Sequence, residues 1–321
     1  MALPPLAIAR MGSFFAGGQQ VHITGRPSRT VRFSPQAAIE HDPNGLFHIE
    51  PAYVQFFVPE GAERRPNLVL MHGGCLTGAS WESTPDGRPG WVEHLLRQGF
   101  AVHVVDGVER GRAGWCALPD IWPDEPLMRG AEEIWSLYRL GSLEGYATRT
   151  PFPGHRHPVH AFDELLKQHV PRWISTIPAA TDALIAVLER VGPAVVIAHS
   201  SGGLIGLHAA CRHPDLIAGF VGLEPSGFPT EPPPPGLADK PFLFVMGDYL
   251  AGHPLWRDVA AAQTRFAAAL TQAGAHVTDW RLAEMGMTGN SHMLMMDDNS
   301  ADLAAMVVDW ITGKIVSSRA A

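Results

Sequence analysis

Residues 195–203 read VVIAHSSGG: a run of β-branched residues, two adjacent serines, then two glycines. A strand that breaks at a serine and re-enters as a helix places that serine on a strained turn. Small residues are needed two places before and two places after it so that helix and strand can approach closely. Ser200 has Ala198 before it and Gly202 after it, whereas Ser201 has the bulky His199 two places back. Ser200 is therefore the candidate nucleophile, and Ser201 offers its backbone N–H. A serine at such a junction can also be a plain helix cap, and its hydroxyl reacts poorly without a base and an oxyanion site. The rest of the chain must supply both.

Working outward, LVLMHGG (68–74) and AVHVVD (101–106) are short apolar runs separated by WVEHLLRQG, a helical pattern closed by Gly99. AVVIAHS (194–200), AGFVGLE (218–224), FLFVMGD (242–248) and HVTDWRL (276–282) follow, with helical patterns between them. Strands alternating with helices predict an α/β fold with a mostly parallel, doubly wound sheet. SFFAGGQQVHITG and YVQFFVP, ahead of the first of these units, read as antiparallel strands at one edge. Leu303, Met306, Val307, Trp310 and Ile311 recur at helical spacing, and Gly313 marks the expected end of a final helix.

Residues 107–193 separate two strands where a crossover helix with its loops needs only about 25 residues. An insertion is implied, and its aromatics (Trp115, Trp122, Trp135, Tyr138, Tyr146, Phe152, Phe162, Trp173) predict a helical cap with a pocket lined by some of them. The expected division is a core of residues 1–106 and 179–321 with a cap at 107–178. FPTEPPPPGLADKP reads as a stiff extended loop.

Composition excludes several classes. The 321 residues carry 24 Lys+Arg against 32 Asp+Glu without a basic block, which gives no electrostatic case for nucleic acid or an anionic membrane. Cys75, Cys116 and Cys211 fit neither a disulfide framework nor a zinc spacing, so no metal site is expected. MALPPLAIAR lacks the basic start of an export signal. The expectation is a cytoplasmic protein, with the periplasm or secretion as the alternative if a signal precedes this chain.

In a doubly wound sheet, chemistry collects at the carboxyl ends of the strands. Four such ends carry polar groups here: HGGC (72–75), AHSSGG (198–203), LEPSG (223–227) and GNSH (289–292). They are the parts of an acyl-transfer site. The amides of Gly74 and Ser201 are the candidate oxyanion donors, with Cys75 as the alternative. His292 is the only histidine in the loop after the last strand, so it is the candidate base, whereas His276 opens a strand at the opposite edge. Glu224 and Asp248 both precede His292 at strand ends, and topology permits either to be the acid.

MHGGCLTGASWESTPDGRPGW (71–91), GSFFAGG (12–18), IAHSSGG (197–203), LEPSG (223–227) and GNSHMLMMDDN (289–299) together resemble a bacterial esterase family of the α/β-hydrolase fold with a Ser–Glu–His triad. The resemblance implies a carboxylic ester hydrolase with a cap, no cofactor and a homodimeric state, and it carries the acid onto Glu224. Relatives can have two adjacent cysteines after the HG pair; here Gly74-Cys75 stands in that place, so a vicinal disulfide cannot form. The expected substrate is a small or medium ester with an apolar group. Alternatives for the same residues are a lactonase, amidase or lyase, and a binding protein that keeps the fold without catalysis. WESTPDGR reads as a structural turn ahead of its helix.

Overall fold

The computed structural model describes residues 4–118 and 121–316. Two long strands, β1 (Ile8–Ile23) and β4 (Gly45–Pro59), pair antiparallel. A small hairpin, β2 (Arg29–Arg32) with β3 (Ala38–His41), is inserted between them. It is absent from the sequence reading because its strands are four residues long and exposed throughout or nearly so. Next come β5 (Asn67–Met71), helix α1 (Trp91–Arg97) and β6 (Val102–Asp106). The connection after β6 carries two short helices, α2 (Ala131–Leu137) and α3 (Phe162–Leu166), then the crossover helix α4 (Ile177–Val191). The remainder alternates: β7 (Ala194–His199), α5 (Ser201–Arg212), β8 (Ile217–Leu223), β9 (Pro241–Met246), α6 (Pro254–Gln272), β10 (His276–Arg281) and α7 (Ser300–Ile311).

These strands form one eight-stranded sheet in the order β1-β4-β6-β5-β7-β8-β9-β10, antiparallel only at β1–β4 and β4–β6. β5 and β7 are almost wholly buried, as apolar runs covered by helices on both faces must be. One face packs Trp91 and Leu95 of α1 with Leu303 and Val307 of α7. The other packs Leu184 and Val187 of α4 with Leu207 of α5 and Phe266 of α6. Here α4 comes so close to β1 that a Cβ on Gly17 would lie 2.7 Å from Ala183 Cα. Gly17 also has φ 69°, which only glycine adopts without strain.

Register brings the chemistry together. Met71 lies beside Ala198, His199 beside Leu223, and Leu223 beside Val245. The residues that follow each strand therefore share one edge. β6 and β7 flank β5 on opposite sides, which makes the ends of β5 and β7 the switch point where α/β sheets bind ligands.

Two expectations change. Most of segment 107–176 is irregular rather than helical, because prolines and glycines recur too closely for long helices, and α4 takes residues 177 and 178. Gly313 does not end the last helix: a π turn, Thr312–Val316, continues it, and buried Ile315 packs against Gly219.

Candidate active site

Ser200 sits at φ 53°, ψ −120°, a conformation that costs a non-glycine residue roughly 1–3 kcal/mol. Its surroundings hold it there. The Ser200 amide donates to the Leu223 carbonyl (3.0 Å), and its own carbonyl accepts from the amides of Gly203 (2.9 Å) and Ser226 (3.0 Å). A Cβ on Gly202 would strike the His72 carbonyl, so the position two after Ser200 admits only glycine.

At the end of β8, Glu224 is fully buried. Its Oε2 lies 3.1 Å from His292 Nδ1, and its Oε1 accepts from Arg139 Nη2 (2.7 Å) and from the Gly247 amide. Burial would raise this carboxyl, but the Arg139 guanidinium, His292 and the Gly247 amide outweigh it and hold the pKa at about 2. Glu224 is thus ionised at neutral pH. Burial lowers the His292 pKa against the pull of Glu224, so the imidazole is poised neutral. With Nδ1–H donated to the carboxylate, Nε2 is left bare to accept a proton.

Asp248, the competing acid, is turned away. Its two oxygens accept from the amides of Tyr249 (2.6 Å) and Gly289 (2.9 Å), which fixes the start of the His292 loop. The same loop is held by Asp297, which accepts from the Ser291 amide (2.8 Å), Ser291 Oγ (2.7 Å) and Asn290 Nδ2 (3.0 Å). Arg88, from the WESTPDGR turn, donates to the carbonyls of Met296 (2.9 Å) and Asp297 (3.0 Å). Trp81 of that turn is fully buried against Trp91.

The inserted segment also reaches the histidine. The Tyr138 carbonyl accepts from the His292 amide (3.0 Å), while from α6 the Trp256 ring lies 4.3 Å from the imidazole between centroids. Arg139 is the main residue the sequence did not reveal: buried, with φ 58°, it bridges Glu224 and the Asp248 carbonyl and stacks over Trp256. Only its tertiary neighbours distinguish it from any other arginine. His199, next to Ser200, donates from Nε2 to the His292 carbonyl (2.9 Å) and is kept neutral by burial. Ser200 and His292 therefore flank a common residue; no hydrogen bond joins Oγ to Nε2, a contact that catalytic pairs often tighten only around the substrate.

On the other side of Ser200, the amides of Gly74, Cys75 and Ser201 have no backbone acceptor among the described residues. Buried His72 fixes this loop: its Nδ1 bonds to the Gly73 carbonyl (2.8 Å) and its Nε2 accepts from the Gly107 amide (3.0 Å). Cys75 has φ 57° and is buried, and its thiol pKa is raised chiefly by that burial, so the sulfur stays protonated. Beyond the loop, Trp115, Trp122 and Trp173 line a cavity of about 640 Å³. Among the described residues, no group of three His, Cys, Asp or Glu side chains is placed to hold a metal ion.

A strained serine at a strand–helix junction, a buried carboxylate–histidine pair on the next strand ends and an unengaged amide loop define a hydrolase site on this sheet. A family model described as the alpha/beta hydrolase fold matches residues 66–274, and the chain belongs to that family. A solved structure described as that of a novel bacterial esterase is similar at 32% identity, with 98% of each chain covered and a TM-score of 0.83. The probable secreted lipase phiG of a fungal species (strain ATCC 74256) is 28% identical over 316 residues, covering 81% of this chain and 85% of its own. Lipase LipV of Mycobacterium tuberculosis is 43% identical over 53 residues, only 20% of its length.

Proposed function

We propose that this esterase- and lipase-like hydrolase cleaves carboxylic esters through a serine acyl-enzyme. Ser200 is the nucleophile, His292 the general base and then acid, and Glu224 the carboxylate behind it. The observation that carries this reading is the buried 3.1 Å contact between Glu224 and His292 Nδ1, at the strand ends adjoining the strained Ser200 turn. As Ser200 Oγ attacks the ester carbonyl, its proton passes to His292 Nε2, and the carboxylate stabilises the imidazolium. The oxyanion is met by the amides of Ser201 and Gly74, with Cys75 as the neighbouring alternative. His292 then protonates the departing alkoxide, and a water activated by the same histidine releases the acid.

The inserted segment acts as a cap, and its tryptophan-lined cavity suits an apolar group of the substrate. A homodimer is part of the same reading. It is supported by the unpaired edge of β1 and by exposed Met11, Phe15, Phe33 and Leu46, an apolar surface on β1, β4 and the hairpin. Sedimentation at micromolar concentration checks it, and a monomer would remove it.

The test of the chemistry is twofold. An organophosphonate should form a stable adduct on Ser200, seen as a mass shift on the peptide that contains it. Ser200→Ala should lose on the order of 10³-fold or more in turnover of 4-nitrophenyl esters, and Ser201→Ala far less, because Ser201 supplies an amide. Equal losses in both variants would move the nucleophile or end the assignment.

A further inference from the structure

Arg172 is placed against the candidate oxyanion loop by backbone contacts on both sides. Its amide and carbonyl bond to those of Leu127 (3.0 and 2.7 Å), and the Val170 amide donates to the Cys75 carbonyl (2.9 Å). The half-buried side chain then lies over Gly74. A Cβ on Gly74 would collide with Nη1 of the guanidinium, and the same point is 3.2 Å from Ser201 Oγ. Gly74 thus leaves room for the Arg172 fork, next to the amides assigned to the oxyanion.

Among the described residues, that fork has no ion-paired counterion. Arg172 Nε is buried without a partner, and among the described residues no side chain makes a hydrogen bond or ion pair with the guanidinium. The neighbouring carboxylate, Glu109, gives Oε1 to Arg110 (3.2 Å), which also donates to the Leu76 carbonyl (3.2 Å); its Oε2 is buried without a partner and makes no hydrogen bond to the fork. The Cys75 thiol stays protonated, and His72 is neutral, its pKa lowered to about 4 by burial and by Arg110. Arg129, the next cation, is paired with Glu133. Two guanidinium groups, Arg110 and Arg172, therefore line a small cavity with one carboxylate between them. The buried Nε of this half-buried arginine lacks an acceptor, and its planar fork is shaped for a carboxylate. Glu109 and Trp173 line both this cavity, of about 20 Å³, and the large tryptophan cavity, so the two lie side by side.

Resting on the esterase reading, we propose that Arg172 is a substrate-binding residue and that the preferred substrates are esters carrying a free carboxylate a few bonds from the scissile carbonyl. The carboxylate accepts from the Arg172 fork while an apolar portion occupies the tryptophan cavity. The group can lie on the acyl side, as in a dicarboxylic acid monoester, or on the alcohol side, as in an ester of a hydroxy acid. The chemistry at Arg172 is the same.

The test compares matched pairs: mono-4-nitrophenyl glutarate with 4-nitrophenyl valerate for the acyl side, and O-butyryl glycolate with propyl butyrate for the alcohol side. Wild-type enzyme should favour the anionic member of at least one pair by about 10- to 100-fold in kcat/KM, the range expected of charge-assisted hydrogen bonds. Arg172→Gln should bring that ratio close to one, and Arg172→Lys, which keeps the charge without the fork, should fall between. Glutarate should inhibit valerate ester hydrolysis competitively in wild-type enzyme, so the proposal can be judged even if the variants do not fold. No preference in either pair, no inhibition by glutarate, or equal loss on anionic and neutral esters in Arg172→Gln overturns the proposal. If wild-type enzyme turns over the valerate ester through Ser200 without any preference, the esterase reading stands and only this inference falls. If it turns over none of the four, both fall.

Discussion

On one side of Ser200, Glu224 has both oxygens engaged, by His292, Arg139 and the Gly247 amide, and Asp297 and Arg88 tie down the loop that carries His292. On the other, the amides of Gly74 and Ser201 and the fork of Arg172 lack partners among the described residues. The first side is closed around its carboxylate, both of whose oxygens are engaged, although Arg139 Nη1 and His199 Nδ1 stay without partners. The second is a set of donors with nothing to donate to. Buried polar groups in folded proteins are generally satisfied; the free amides of the second side adjoin the strained Ser200 turn, and the proposed reading gives that side to the ligand.

The largest expected effect tests the closed side. Glu224→Gln cannot stabilise the imidazolium and should lower kcat by about 10²- to 10⁴-fold. Asp248→Asn, whose oxygens only brace a loop, should stay within about fivefold while melting at a lower temperature. Steady-state kinetics on a neutral ester and a thermal melt of each variant separate the two roles, and a crippled Asp248→Asn would break the division drawn here.

A smaller effect on rate, but a large one on stability, is expected at Arg139. Arg139→Met strands a buried carboxylate and should cost about 3–5 kcal/mol in chemical denaturation. Arg139 also lowers the His292 pKa. Its removal should therefore move the acid limb of the kcat/KM profile to higher pH, a shift that simple loss of packing would not produce. An unmoved limb would mean that Arg139 only fills space.

The smallest effect separates the two sides by pH. Burial lowers His72, under the Gly73–Gly74 loop, from the ordinary 6.5 to about 4, and does the same to His103 and His155. Because the unfolded chain protonates first, the stability these groups confer is complete above pH 6.5 and is lost as pH falls from 6.5 to about 4. Glu224, lowered from 4.5 to about 2, confers stability that is lost only between those values. Calorimetry should show a melting temperature that declines in two stages, the histidine stage first. A single decline confined below pH 4.5 would contradict the neutral His72.

The sequence made the sheet legible because buried parallel strands are continuous apolar runs, and VVIAHSSGG or FLFVMGD can hardly fold otherwise. The hairpin of β2 and β3 was not legible, since four exposed residues carry no periodic signal. In the insertion, aromatic content announced a pocket but not its irregular backbone. At the site, strand order could place Ser200 and His292 at one edge but left Glu224 and Asp248 open. Only the side-chain geometry distinguishes a carboxylate that reaches an imidazole from one that caps a loop. Arg139 and Arg172 were invisible for the same reason: an arginine's role depends on which charge lies beside it in space.

Arg139 belongs to the inserted segment, and the carboxylate it neutralises belongs to the sheet. The cation that makes Glu224 tolerable in the interior thus arrives from another part of the chain. The insertion is therefore not a detachable module. Grafting a different insertion between β6 and α4 would leave a negative charge stranded in the interior unless the graft brought its own arginine to the same spot. Substitutions on the Arg172 and tryptophan side of the insertion, by contrast, leave the charge balance at Glu224 undisturbed.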